Sequence, residues 1–181
     1  VRLSVTDRCD FRCVYCMAEE MVFLPRSQIL SLEEIARVAR NFVDLGTEKI
    51  RLTGGEPLLR KDVFEIAGYA SEQGLWPVVG TNGVLVTHEL AERMIDAGIR
   101  GMALSLDALD AATHDRFRMV EGAWQNTVDG TKVLTEVGLP YIIQTTVGAH
   151  NLHEVEDIAR FAHSLGARVF NLYFLVPTGR G

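Results

Sequence analysis

Three cysteines stand at Cys9, Cys13 and Cys16, and the chain has no others. Their C-x3-C-x2-C spacing sets three thiols on one short segment, flanked by Arg8 and Arg12. A structural zinc takes four protein ligands, and so does an electron-transfer iron–sulfur cluster. Three thiolates on a four-iron cluster leave one iron open to coordinate a small molecule. Two other readings stand beside this one. A zinc ion could be completed by a distant histidine, the nearest in sequence being His88, or the three cysteines could be plain core residues. The odd count argues against a disulfide framework and for a reducing, cytoplasmic compartment.

Other chemistry-bearing residues recur along the chain. Gly54-Gly55-Glu56-Pro57 joins two residues without side chains to a carboxylate and a fixed turn. Such glycines let a ligand lie against the backbone, and the carboxylate can bind an ammonium group. Ser105 and Asp107, two apart on a strand, face one way and could bind a ribose through its hydroxyls. Thr81-Asn82-Gly83 reads in isolation as a turn. His150 and His153 read as solvated loop and helix-face residues rather than metal ligands. Arg2, Arg8 and Arg12, then Lys49 and Arg51, form bunched cations on a chain of net charge −6. That balance disfavours a general nucleic-acid surface and favours a local anion site. Arg60 and Lys61 read as solvated charges.

These residues need a scaffold. A chain of 181 residues, 48% hydrophobic and 23% charged, reads as one globular domain over 1–181. It contains no run long enough for a membrane span and no signal peptide. It opens at Val1 without an initiator methionine, so we expect it to be cut at both ends and to lack a C-terminal extension. Strand-like apolar runs fall at 1–6, 49–52, 76–79, 101–104, 141–146 and 168–175. Helical patterns lie between them. Ser31 to Glu34 forms a capping box, and Asp62 and Thr87 open further helices. Another helix carries Trp124, Val128, Thr131 and Leu134, and Asn151 is expected to cap the last. Gly46, Gly74, Gly98, Gly138 and Gly166 supply the stops.

Alternating β and α units predict an α/β fold with a parallel sheet whose strands are covered on both faces. The candidates are an open partial (β/α)6 barrel, a truncated eight-fold barrel and a doubly wound sheet. Each motif follows the C-terminal end of a strand, so all are expected to meet at one mouth.

Together, the triplet with Tyr15 before its last cysteine, Gly-Gly-Glu-Pro after the second strand and Ser-Leu-Asp at the fourth resemble the radical S-adenosylmethionine (SAM) enzymes. The resemblance implies a partial (β/α)6 barrel, with Cys9, Cys13 and Cys16 holding a [4Fe–4S] cluster. It implies SAM chelated to the open iron. The methionyl ammonium would lie at Gly54, Gly55, Glu56 and Pro57, the ribose and polar groups near Ser105 and Asp107, and the adenine near Tyr15. Thr81 and Asn82 fall in the same cofactor-binding set. In such enzymes an electron from the cluster cleaves SAM, and the resulting 5′-deoxyadenosyl radical abstracts a hydrogen from substrate.

Two subfamilies are suggested. Residues 1–60 resemble GTP 3′,8-cyclase of molybdenum cofactor biosynthesis, through 2–9, 23–27 and 49–53. That resemblance implies GTP as substrate, with Arg2, Lys49, Arg51 and Thr53 lining its site; guanidinium groups suit phosphate. From Trp76 onward, 80–83, 113–118, 144–147 and 174–181 resemble radical SAM enzymes of haem and modified tetrapyrrole biosynthesis and of peptide modification. An electron donor is the other implied partner. A structural iron–sulfur or zinc protein is the alternative outside enzymes.

Overall fold

The computed structural model describes residues 1–18 and 20–175. The motif at 176–181 lies outside the described residues. Six strands form one parallel sheet: β1 (Arg2–Thr6), β2 (Lys49–Gly54), β3 (Trp76–Thr81), β4 (Met102–Ser105), β5 (Tyr141–Val147) and β6 (Phe170–Phe174). Their spatial order is the chain order, β1-β2-β3-β4-β5-β6. A doubly wound sheet reverses its order at a switch point, and this one does not. It is a singly wound α/β sheet.

The helices are α1 (Leu32–Asp44), α2 (Val63–Glu72), α3 (His88–Asp96), α4 (Ala111–Arg118), α5 (Ala123–Glu136) and α6 (Val155–Ser164). α1 starts as its sequence predicts: the Ser31 side chain accepts the Glu34 amide, and Glu34 reaches back to the Ser31 amide. The Thr87 side chain caps α3 by accepting the Leu90 amide. The core lies between sheet and helices, where Ile50, Leu52, Val79 and Leu104 meet Ile35, Ile66, Met94 and Leu134.

Two local expectations need correcting. Asn151 does not cap α6; Glu154 holds that position, and the Asn151 side chain is turned into the protein. The apolar pattern also suggested strands covered on both faces. Instead β5 alternates, with Tyr141, Ile143, Thr145 and Val147 buried and Gln144 and Thr146 only partly so. The second face lines an open interior.

That interior exists because the sheet curls. Six strands laid flat would separate β1 from β6 by about 24 Å at ~4.8 Å per gap. Yet Arg2 Nη2 on β1 donates to Tyr173 Oη on β6 at 3.0 Å. Two long side chains close the distance only if the outer strands approach each other, as in a barrel left open at one seam.

Candidate cluster and substrate site

The segment after β1 folds back across the C-terminal ends of the strands. Gly55 N donates to Thr6 O at 2.8 Å, and Glu56 N donates to Arg8 O at 2.7 Å. Gly54 has φ +127°, and a methyl group there would stand 2.2 Å from Thr6 O. On Gly55 it would stand 2.1 Å from Arg8 O. Glycine is therefore required because the cysteine segment itself presses on this turn.

On the other side, Val14 N donates to Phe117 O at 3.1 Å, and Phe11 and Cys13 are buried with Ala123. The three thiols thus sit on a segment gripped from both sides. Phe11 N donates to Cys9 Sγ at 3.4 Å, and Arg118 Nη1 donates to Cys13 Sγ at 3.6 Å. Cys16 is exposed. Burial pushes the Cys9 thiol up to about 12, against the pull of the Phe11 amide. Burial also raises Cys13, with Arg118 opposing.

Several predicted cofactor residues turn inward. Glu56 is buried; its Oε2 accepts the Asn82 amide at 2.7 Å and its Oε1 the Leu58 amide at 3.1 Å. Desolvation pushes it up to about 7, opposed by those amide bonds. Asn82 Nδ2 donates to Asp10 Oδ1 at 2.9 Å, which ties β3 to the cysteine segment. Thr81 is buried and its hydroxyl accepts the Gly83 amide. Pro57 is buried in the turn.

Asp107, expected near a ribose, is fully buried. Its Oδ2 accepts from Arg118 Nε at 2.6 Å and Nη2 at 2.5 Å, and its Oδ1 from the Thr146 amide at 2.7 Å. Arg60, read as solvated, is also paired: it binds Asp62 and donates to Val5 O at 2.6 Å.

Other predicted residues do meet. A cavity of about 400 Å³ opens at the mouth, lined by Arg2, Arg51, Thr53, Ser105, Tyr15 and Tyr173 among others. Gln144 and Thr146 reach it from β5. Lys49 does not. It sits two residues before Arg51, about 7 Å lower along the strand, and lines a second cavity with Trp76, Arg100 and Arg168. Tyr15 stacks on Phe117 with centroids 5.0 Å apart, and Phe117 on His150 at 3.9 Å. His150 is thus held in a stack, while His153 is exposed.

The comparisons match this geometry. The Radical SAM superfamily model matches residues 3–162. The chain belongs to the radical SAM superfamily. GTP 3′,8-cyclase of Marinobacter nauticus is 49% identical over 90% of this chain and 49% of its own length. AdoMet-dependent heme synthase of Methanosarcina barkeri is 39% identical over 98% of this chain and 51% of its own. The chain thus spans about half the length of these curated relatives. The structure of Streptococcus suis SuiB bound to S-adenosylmethionine shares the fold, with a TM-score of 0.80 at 18% identity, over 97% of this chain and 38% of that one.

As a radical SAM enzyme the protein uses a [4Fe–4S] cluster and SAM. The donor set fits the cluster. Cys9, Cys13 and Cys16 are free thiols on one short segment, the three-thiolate donor set that leaves one iron of a four-iron cluster open. N–H groups directed at Cys9 and Cys13 sulfur are the hydrogen bonds that thiolate ligands of such clusters accept. Among the described residues no helix is long and apolar enough to cross a membrane.

The sequence reading missed Arg118, His114, Gln144 and Tyr173. The runs 113–118 and 144–147 gave a signal, and both were read as family likenesses rather than as contacts with the cysteines or the cavity.

Proposed function

We propose that this radical SAM core belongs to an enzyme of the GTP 3′,8-cyclase type, acting in molybdenum cofactor biosynthesis. The observation that carries this is the cavity at the mouth: Arg2 and Arg51 supply cations, hydroxyls surround them, and no carboxylate among the described residues lines it. Guanidinium groups bind phosphate oxygens in pairs. Thr53, Ser105, Thr146 and Gln144 add short polar contacts of the kind that orient a sugar and a base. The cyclase relative is also the more similar of the two relatives, at 49% against 39% identity.

In this reading Cys9, Cys13 and Cys16 hold the cluster. Tyr15 and Ser105, which reach the cavity, with the turn at 54–57 beside them, hold SAM. The cluster and SAM together supply a strongly reducing, hydrogen-abstracting chemistry. The chain's own contribution is to seat the cysteines, fix the substrate's anionic part on Arg2 and Arg51, and keep the reacting centre within a curled sheet away from bulk water. An electron donor and a localisation in the cytoplasm complete the proposal.

A second reading is AdoMet-dependent modification of a tetrapyrrole or a peptide. Tyr173, Phe174 and Leu175 favour it, because they give the cavity an apolar rim at the open seam. Porphyrin carboxylates would use the same arginines. The test is release of 5′-deoxyadenosine by the anaerobically reconstituted full-length protein, with SAM and dithionite, with and without GTP. Release that rises with GTP supports the cyclase reading. Release that ignores GTP but rises with a carboxylated porphyrin moves the assignment to the second.

A further inference from the structure

Among the described residues Arg118 is the single buried arginine. It ends α4, where Met119 takes left-handed backbone with φ 57° and closes the helix. The turn is fixed to the cysteine segment, because Val14 N donates to Phe117 O at 3.1 Å. The guanidinium is fully directed. Nε and Nη2 donate to Asp107 Oδ2, and Nη1 donates to Cys13 Sγ.

Asp107 is itself immobilised on every side. Thr146 N donates to its Oδ1 at 2.7 Å, its own amide donates to His114 Nδ1 at 3.1 Å, and Asn151 Nδ2 donates to its carbonyl at 2.8 Å. The Tyr15 and Phe117 rings lie 5.9 and 6.0 Å from the guanidinium carbon and shut out water. A low local dielectric strengthens whatever charge the sulfur feels. At Cys13 the guanidinium is the cation in direct contact with the sulfur, through Nη1 at 3.6 Å, while Asp107 engages its other two nitrogens.

Burying an ion pair is a poor route to stability alone, since apolar residues of the same volume often do as well. The aim of Nη1 gives this pair another purpose. Potentials of iron–sulfur clusters depend on nearby charge and on hydrogen bonds to the ligating sulfurs.

We infer that Arg118 sets the reduction potential of the cluster: its Nη1 hydrogen bond to Cys13 Sγ raises that potential, and Asp107 holds the guanidinium in place. The event is a one-electron reduction. The electron comes from an external reductant, no bond is made or broken, and the added negative charge is offset by the fixed cation. This rests on the cluster reading of the three cysteines.

The experiment is an EPR-monitored dithionite titration, with mediators and without SAM, of the reconstituted full-length protein. The variants are R118Q, R118K, D107N and the double variant D107N/R118Q, which buries no lone charge. R118Q is expected to hold at least tenfold less reduced cluster at a fixed solution potential, equal to about 59 mV for one electron. R118K keeps the cation and lies between R118Q and the wild type. D107N keeps a side-chain oxygen that accepts from the guanidinium and so holds it, but removes the opposing charge, and therefore shifts the potential upward, opposite in sign to R118Q. The double variant lies below the wild type. A purely structural role would move R118Q and D107N in the same direction. Shifts of the same sign, or unchanged potentials in variants that hold four irons, would overturn the inference. A wild-type protein that binds no iron would instead overturn the cluster reading itself.

Discussion

Gly55 lies directly beneath Arg8: their backbones are so close that a single methyl group on Gly55 would stand 2.1 Å from the Arg8 carbonyl oxygen. Neither partner can yield cheaply, because the contact is backbone on both sides. Gly55→Ala must therefore lift the cysteine segment off the end of β2 and break the Glu56 N to Arg8 O bond. Overpacking of this kind costs about 1–3 kcal/mol. The expected outcome is a lower unfolding midpoint and iron content below half of the wild-type value after identical reconstitution. Iron and sulfide assays with a thermal melt check it; full iron loading in the variant would refute the seating role.

Asn151 is the hinge pin of the loops above β4 and β5. Its Nδ2 donates to Asp107 O at 2.8 Å and Thr146 O at 2.9 Å, and its Oδ1 accepts the Gly148 amide at 2.9 Å. The residue is fully buried. Asn151→Ala leaves two carbonyls and one amide without partners, for about 3 kcal/mol in total at ~1 kcal/mol or more each. Urea unfolding should show a lower midpoint with an unchanged slope. A midpoint equal to that of the wild type would mean that water replaces all three bonds.

The scaffold was legible in the sequence for a simple reason: its signals are local. The Ser31–Glu34 box, the positive-φ glycines that end helices and the short apolar strands each depend on a few neighbouring residues. The cysteine triplet and the glycine turn were legible because their chemistry lies within one short run. What failed was pairing across distance. Arg118 and Cys13 are 105 positions apart, and nothing local says that an arginine in the polar helix α4 is buried. An isolated Ser-x-Asp likewise does not reveal that Asp107 pairs with a guanidinium. Arg60 misled in the same way, with Asp62 and the Val5 carbonyl as its unseen partners.

Arg51 is the cation that both interior cavities share. A charged hydrogen bond contributes about 1.5–3 kcal/mol, so Arg51→Ala should weaken GTP binding roughly ten- to hundredfold while leaving the cluster spectrum unchanged. Isothermal titration of GTP into the reconstituted protein measures it. Equal affinity in wild type and variant would remove GTP from the mouth cavity.

His114 and Glu56 pull the stability of the protein in opposite directions over the same pH range. Burial depresses His114 from 6.5 to about 4, with Asp107 and Asp115 opposing and Arg118 assisting. The unfolded chain therefore binds the extra proton first. The stability this histidine contributes is complete above pH 6.5 and is lost as pH falls towards 4. Burial raises Glu56 from 4.5 to about 7, against its bonds from Asn82, Leu58 and Thr81 and with Asp10 assisting. Here the folded chain keeps the proton longer. The contribution is complete below pH 4.5 and is lost as pH rises to about 7. Each shift corresponds to something on the order of 3 kcal/mol, so between pH 4.5 and 6.5 the two slopes cancel. Denaturant unfolding of the cluster-free protein should accordingly vary little across that window. His114→Gln should leave stability falling as pH rises, and Glu56→Gln should leave it rising. If both variants gave slopes of the same sign, burial would not be the cause of at least one of the two shifts.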